Sequence, residues 1–200
     1  MIKTVIFDIG NVLCGFHWKE YFEGFGYDKE MIKKLETATV SSPIWLELDR
    51  GCMTDAEILD AFVANDPSIE KEIRQSLTNT RGLLVRYDYA IPWIQELKSK
   101  GYQVLVLSNF NHKAHTECQD ATDFLPYVDG GILSYLEKCV KPEPVIYEKL
   151  IAKCNLIPQE CVFLDDVQQN LDGAAAFGIH TILFRDQEQA KEDLRKLGVE

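Results

Sequence analysis

The chain has 200 residues, 46% of them hydrophobic, and a formal net charge of −11. That length allows one buried core with a small second module, and the acidic balance disfavours nucleic acid, whose phosphates most of this surface would repel. No apolar stretch is long enough to span a bilayer, and the first apolar run stops at Asp8, too early for a secretory signal.

Six cysteines at 14, 52, 118, 139, 154 and 161 have neither C-x-x-C nor zinc-site spacing. They are expected to be reduced thiols of a cytoplasmic protein. In chain order, the first element is the run Thr4-Val5-Ile6-Phe7. From about Phe16 to Arg81 no strand is evident, and helical stretches are expected around Lys19–Phe25, Lys29–Thr39, Pro43–Leu48, Thr54–Val63 and Ile69–Leu77. Thr54-Asp55-Ala56-Glu57 reads as a capping box, and Asp66-Pro67 as a break. Beyond the insert, short apolar runs return at Val104–Leu107, Gly131–Leu133, Val162–Leu164 and Thr181–Phe184. Between them lie helical patterns at Ile91–Lys100, Pro144–Cys154 and Leu171–Phe177. Continuous apolar runs of that length suit strands buried on both faces. The alternation predicts an α/β fold, a doubly wound parallel sheet, built from residues 1–15 and 82–200 with a helical module at 16–81 inserted after the first strand.

In an open parallel sheet, ligands bind beyond the carboxyl ends of the strands. The polar residues that follow the apolar runs are therefore the candidates for chemistry: Asp8-Ile9-Gly10-Asn11, Ser108-Asn109, Lys141-Pro142 and Asp165-Asp166. Carboxylates gathered there would repel one another by roughly 4 kcal/mol per pair at about 4 Å and an effective dielectric near 20. Shared protons or a bound cation would relieve this, and hard oxygen donors suit Mg²⁺. One aspartate after a strand often does no more than begin a helix or turn, but the combined set argues for a site.

These residues carry a family resemblance along nearly the whole chain. V-I-F-D-I-G-N-V-L, L-V-L-S-N, V-K-P-E-P-V-I-Y and V-F-L-D-D-V-Q-Q-N resemble, in order and spacing, the four motifs of the haloacid-dehalogenase-like hydrolases. The insert resembles that superfamily's C1 cap. By pattern the chain is also similar to sugar-phosphate phosphatases with D-x-G-N-V and to the phosphatase domain of soluble epoxide hydrolases. The resemblance implies a Rossmann-like core and a Mg²⁺-dependent phosphatase acting on a small phosphorylated metabolite, such as a sugar phosphate. Asp8 would be the nucleophile and form an aspartyl phosphate. The Asp8 carboxylate, the Gly10 carbonyl and Asp166 would bind Mg²⁺, with Asp165 close by as a further candidate and Asn170 steadying the acidic loop. Ser108 and Asn109 would donate to phosphoryl oxygens, and Lys141 would neutralise Asp8 and the phosphoryl group.

One position departs from the pattern. Many phosphatases of the superfamily carry a second aspartate two residues after the nucleophile, as general acid and base, and here that residue is Gly10. His17, which follows the first motif toward the insert, is the nearest candidate for the vacant role. Substrate contacts are expected from the insert, with Arg50, in the turn Asp49-Arg50-Gly51, as first choice. Trp18, Tyr21 and Trp45 could reach the site but fit the insert's own core as well. A metal-free haloacid dehalogenase and a non-catalytic binding module remain as alternatives.

Overall fold

The computed structural model describes residues 1–200. In chain order the elements are β1 (Thr4–Phe7), β2 (Cys14–Phe16), α1 (Trp18–Glu23), α2 (Lys29–Ala38), α3 (Pro43–Arg50), α4 (Asp55–Asn65), α5 (Glu70–Leu77) and β3 (Leu84–Arg86). They continue as α6 (Ala90–Ser99), β4 (Gln103–Ser108), α7 (His112–Glu117), β5 (Gly130–Leu133), α8 (Ser134–Glu137), α9 (Pro144–Cys154), β6 (Cys161–Asp165), α10 (Gln168–Ala175), β7 (His180–Leu183) and α11 (Gln187–Lys196).

Five strands form one parallel sheet in the order β5-β4-β1-β6-β7. β1 lies at its centre, Ile6 paired with Leu105 on one side and Phe163 on the other. Successive side chains of a strand point to opposite faces, and the packing follows that alternation. Val5 and Phe7, with Val104, Val106, Val162 and Leu164, pack against Trp93 and Ile94 of α6 and Leu194 of α11. Ile6, with Leu105, Leu107 and Phe163, packs against Ile146 and Leu150 of α9 and Leu171 of α10. Both faces are covered, so continuous apolar runs were required. The chain crosses from one side of β1 to the other between β5 and β6. That reversal puts the crevice of the sheet at the carboxyl end of β1, directly at Asp8.

The inserted helices carry a third apolar cluster of their own, built on Phe22, Leu35, Ile58, Phe62, Ile73 and Leu77. Their ends follow local chemistry. Asp28 and Ser42 accept from the first turns of α2 and α3. Thr54 and Glu57 form the expected capping box, a device worth on the order of 1 kcal/mol. Between insert and sheet lies an antiparallel ribbon, β2 with β3, that the sequence pattern did not predict. Its three-residue strands are too short for a periodic signal. No helix is long and apolar enough to cross a membrane.

Candidate active site

Asp8 leaves the central strand with its backbone N–H bonded to Leu164 O at 2.9 Å, which fixes it at the sheet's edge. The residue is only 7% exposed. Oδ1 accepts from Ile9 N–H at 2.7 Å and from the Lys141 ammonium at 2.9 Å, and the Ser108 hydroxyl is also within hydrogen-bonding reach. Burial pushes the Asp8 carboxyl up to about 7, with Lys141 opposing the rise and Asp165 adding to it.

Lys141 is the hub of the site. Its Nζ donates to Asp8 Oδ1 at 2.9 Å, Asp165 Oδ2 at 2.6 Å and Leu107 O at 3.0 Å, so all three donors are used. Burial alone would lower its pKa, but Asp8 and Asp165 override that and hold the ammonium above its ordinary value. The Asn109 side chain clamps the Lys141 backbone, accepting from its N–H at 2.7 Å and donating to its carbonyl at 3.0 Å. The Asn109 side-chain amide is thus committed to Lys141, and its backbone N–H has no backbone partner.

The two adjacent acids differ. Asp165 is fully buried and saturated: Lys141, Val167 N–H at 2.8 Å, and Asn170 Nδ2 at 3.1 Å from each oxygen all donate to it. Those contacts make it an anchor for Lys141, with Asn170 steadying it. Asp166 is half-buried, takes a single side-chain bond from Asn11 Nδ2 at 2.9 Å, and has its pKa raised, chiefly by burial. Asn11 holds a left-handed backbone, φ 56°, and its Oδ1 accepts from Phe16 N–H, so it ties the first motif to Asp166 and to β2. That bridging role is not visible in the motif alone. One oxygen of each of Asp8, Asp165 and Asp166 lies within 4.8 Å of the others. The Gly10 carbonyl beside them accepts no backbone hydrogen bond. Asp8 and Asp166 thus converge with an oxygen each to spare, and with the Gly10 carbonyl in the same cavity wall they are hard oxygen donors whose chemistry fits Mg²⁺.

A cavity of about 220 Å³ opens over this cluster, lined by Asp8, Gly10, Asn109, Lys141, Asp166 and Asn170 from the core side. The β2–β3 ribbon contributes Phe16 and Leu84, and the insert contributes Trp45 and Asp49. It adjoins a second cavity of about 200 Å³ lined mainly by apolar side chains, among them Leu48, Ile58, Leu59 and Phe62; Trp45, Leu83, Asn111 and Ala114 line both.

Two expected residues do not reach the site. His17 does not line the cavity. Its ring lies over Gly15, half-exposed, with Nδ1 3.8 Å from Glu20. Alternation after β2 explains this: Phe16 faces the cavity, and the next side chain turns away. Arg50 is bound to Glu47 at 3.1 Å and Glu143 at 2.8 Å and also lies outside the cavity. One residue earlier on α3, rotated by about 100°, the Asp49 side chain is the one that faces in. Trp18 and Tyr21 pack on the insert's own core, and Trp45 faces the site. The turn at Asp49-Arg50-Gly51 drew attention to the right segment, but helical phase, which only the packing of α3 settles, selected the neighbour.

A family model for haloacid dehalogenase-like hydrolase matches residues 2–178. The chain belongs to the haloacid dehalogenase-like hydrolases. It is 29% identical over 210 residues to acyl-CoA dehydrogenase family member 10 of Mus musculus, covering 98% of this chain and 19% of that protein. It therefore spans about a fifth of that relative. Sesquiterpene phosphatase astK of Aspergillus oryzae is 25% identical, with 98% of this chain and 96% of the relative covered. A family enzyme of Bacteroides thetaiotaomicron, solved in complex with magnesium and inorganic phosphate, is 26% identical, with a TM-score of 0.70 over 92% of this chain and 95% of that one. This protein is thus an enzyme of a hydrolase family.

Proposed function

We propose that the protein is a Mg²⁺-dependent phosphomonoesterase that hydrolyses a small phosphorylated metabolite through an aspartyl phosphate on Asp8. The observation that carries this reading is the buried Lys141 ammonium 2.9 Å from Asp8, beside the convergent carboxylates of Asp8, Asp165 and Asp166. In this reading one oxygen of the Asp8 carboxylate attacks phosphorus while the other is left to the metal. Lys141 keeps its charge and neutralises the nucleophile and the transferring group, anchored by Asp165. The Ser108 hydroxyl and the Asn109 N–H donate to phosphoryl oxygens. Asp8, the Gly10 carbonyl and Asp166 would hold Mg²⁺, which supplies charge neutralisation for the phosphoryl group. A carboxylate nucleophile divides one difficult hydrolysis into two easier steps.

The leaving group lies toward the insert. A sugar phosphate is one substrate class that the D-x-G-N-V pattern suggests. The adjoining apolar cavity favours a second, a phosphate ester whose leaving group carries hydrocarbon. Each methylene buried there would raise kcat/KM by about fourfold, the equivalent of roughly 0.8 kcal/mol. The test is phosphate release from p-nitrophenyl phosphate with Mg²⁺ and after exhaustive chelation, followed by a panel of sugar, alkyl and aryl phosphates. Metal-dependent release supports the reading, and none under any metal condition overturns it. A preference for the polar sugar esters would discard the apolar class.

A further inference from the structure

The position two residues after the nucleophile is Gly10, so no side chain from the first motif can move a proton at the leaving oxygen. Beyond Asp8 and Asp166, which the metal reading above uses, the cavity is lined by one further carboxyl, on the insert. Asp49 closes α3, is 7% exposed, and lines the same cavity as Asp8.

Its placement is built from both sides of the insert–core boundary. Asn111, the residue that caps α7 by accepting from Ala114 N–H, donates Nδ2 to Asp49 Oδ1 at 3.0 Å. Ser134 Oγ donates to the Asp49 carbonyl at 2.6 Å. The next residue, Arg50, is paired with Glu143 of the core at 2.8 Å. Lys138 donates to the Gly51 carbonyl, and a Cβ at Gly51 would stand only 2.9 Å from Tyr135 Cβ. The end of α3 is therefore pinned to the core at three successive residues, Asp49, Arg50 and Gly51, and Asp49 is held against the site. Its Oδ2 accepts no hydrogen bond.

We propose that Asp49 is the general acid and base of this enzyme, supplied by the insert in place of the side chain that Gly10 lacks; this rests on the phosphatase reading above. In the first step an oxygen of Asp8 bonds to phosphorus and the phosphorus–oxygen bond to the leaving group breaks. The Asp49 carboxylic acid gives its proton to that leaving oxygen, which departs as an alcohol. In the second, water attacks phosphorus and passes a proton to the Asp49 carboxylate. The bond between phosphorus and Asp8 breaks, releasing inorganic phosphate and restoring both side chains.

The environment suits a proton carrier. Burial is the main cause that lifts the Asp49 carboxyl to about 7; the Asn111 bond lowers it, Asp8 raises it and Lys141 lowers it. Asp8 and Lys141 are thus the charged groups that act on it from the core. Of its charged neighbours on and against α3, Arg50 is neutralised by Glu47 and Glu143, and Lys138 is bound to Gly51. His112 on α7 lies against Tyr135. No cation contacts the Asp49 carboxyl.

The experiment compares two esters, p-nitrophenyl phosphate, whose nitrophenolate leaves without a proton, and 2-phenylethyl phosphate, whose alkoxide needs one. Asp49→Asn should lower kcat/KM for the alkyl ester at least about a hundredfold more than for the aryl ester, within the usual range for general acid catalysis. In wild type, kcat/KM for the alkyl ester relative to the aryl ester should fall as pH rises through neutrality, as the acid is lost. That comparison needs no variant. Equal losses on both esters, no loss on either, a pH-independent ratio, or a wild type that turns over only the aryl ester would each overturn the role of Asp49. The phosphatase reading would survive all four, and would fail only if wild type with Mg²⁺ hydrolysed neither ester.

Discussion

Asp8 at the end of β1 and Asp49 at the end of α3 face one cavity, and burial lifts both carboxyls to about 7. Their surroundings then diverge. Asp8 has an ammonium at 2.9 Å, a hydroxyl within reach, and oxygen neighbours that together suit a divalent cation. Each of these favours the ionised form. Asp49 has one neutral amide at 3.0 Å and no cation in contact. With similar burial and similar pKa, the two carboxyls differ in their contacts: a divalent cation bound beside Asp8 would favour the anion that attacks, and Asp49 has no such neighbour.

The comparison is broken most severely at the core end. Asp8→Asn should lower turnover by more than about a thousandfold with the fold intact, because the amide is nearly isosteric but a poor nucleophile. A steady-state assay on protein free of contaminating phosphatase, with a matching circular dichroism spectrum, checks both halves. Lys141→Met should cost at least about a hundredfold in kcat. It should also reduce stability by roughly 3–5 kcal/mol, since Asp8 and Asp165 would stay buried without their cation. Urea titration beside kinetics separates the two effects. Lys141→Arg should rescue neither well, because a planar fork cannot reproduce three convergent bonds from one nitrogen.

Chelation, or Asp166→Ala, should abolish activity, and added Mg²⁺ should restore only the chelated wild type. Mg²⁺ titration monitored by thermal shift gives a readout apart from turnover: wild type should gain stability and Asp166→Ala should not.

At the insert end the effects are smaller and of a different kind. The folded-state pKa of Asp49 lies above its unfolded value of about 3.9, so the folded state binds more protons between roughly pH 4 and 7. This contribution therefore favours the fold at low pH and is lost as pH rises through that window. Asp49→Asn removes the titration. It should be more stable than wild type at pH 8, by about 3–8 °C in Tm, with the difference vanishing near pH 4. Paired thermal melts at the two pH values check the sign. The smallest effect is expected for His17→Ala, less than about twofold in kcat/KM on any ester, because its ring lies over Gly15 and outside the cavity.

How much of this was legible in the sequence follows the same division. The five sheet strands lie within about a residue of the apolar runs, and a strand's end places Asp8, Ser108, Asp165 and Asp166 at one edge by simple geometry; Lys141, from the loop after α8, and Asn170, on α10, join them there. The clamp of Asn109 on Lys141 was hidden, since a side chain that bonds backbone 32 residues away leaves no local pattern. The insert was legible as helices and illegible as a site wall. Arg50 and Asp49 differ by one helical position, and which of them faces Asp8 depends on the contacts of α3 with Ser134, Tyr135 and Glu143. His17 failed for a related reason: the short β2–β3 ribbon, invisible to periodicity, sets which side chain turns inward.

The covalent role of Asp8 can be read directly. Wild-type protein turning over p-nitrophenyl phosphate with Mg²⁺ would be quenched in acid, reduced with borohydride and mapped by mass spectrometry. An acyl phosphate on Asp8 predicts homoserine at position 8, formed only when both ester and Mg²⁺ are present. Ester hydrolysis with position 8 still aspartate, or with the reduced residue at another site, would contradict a nucleophilic Asp8.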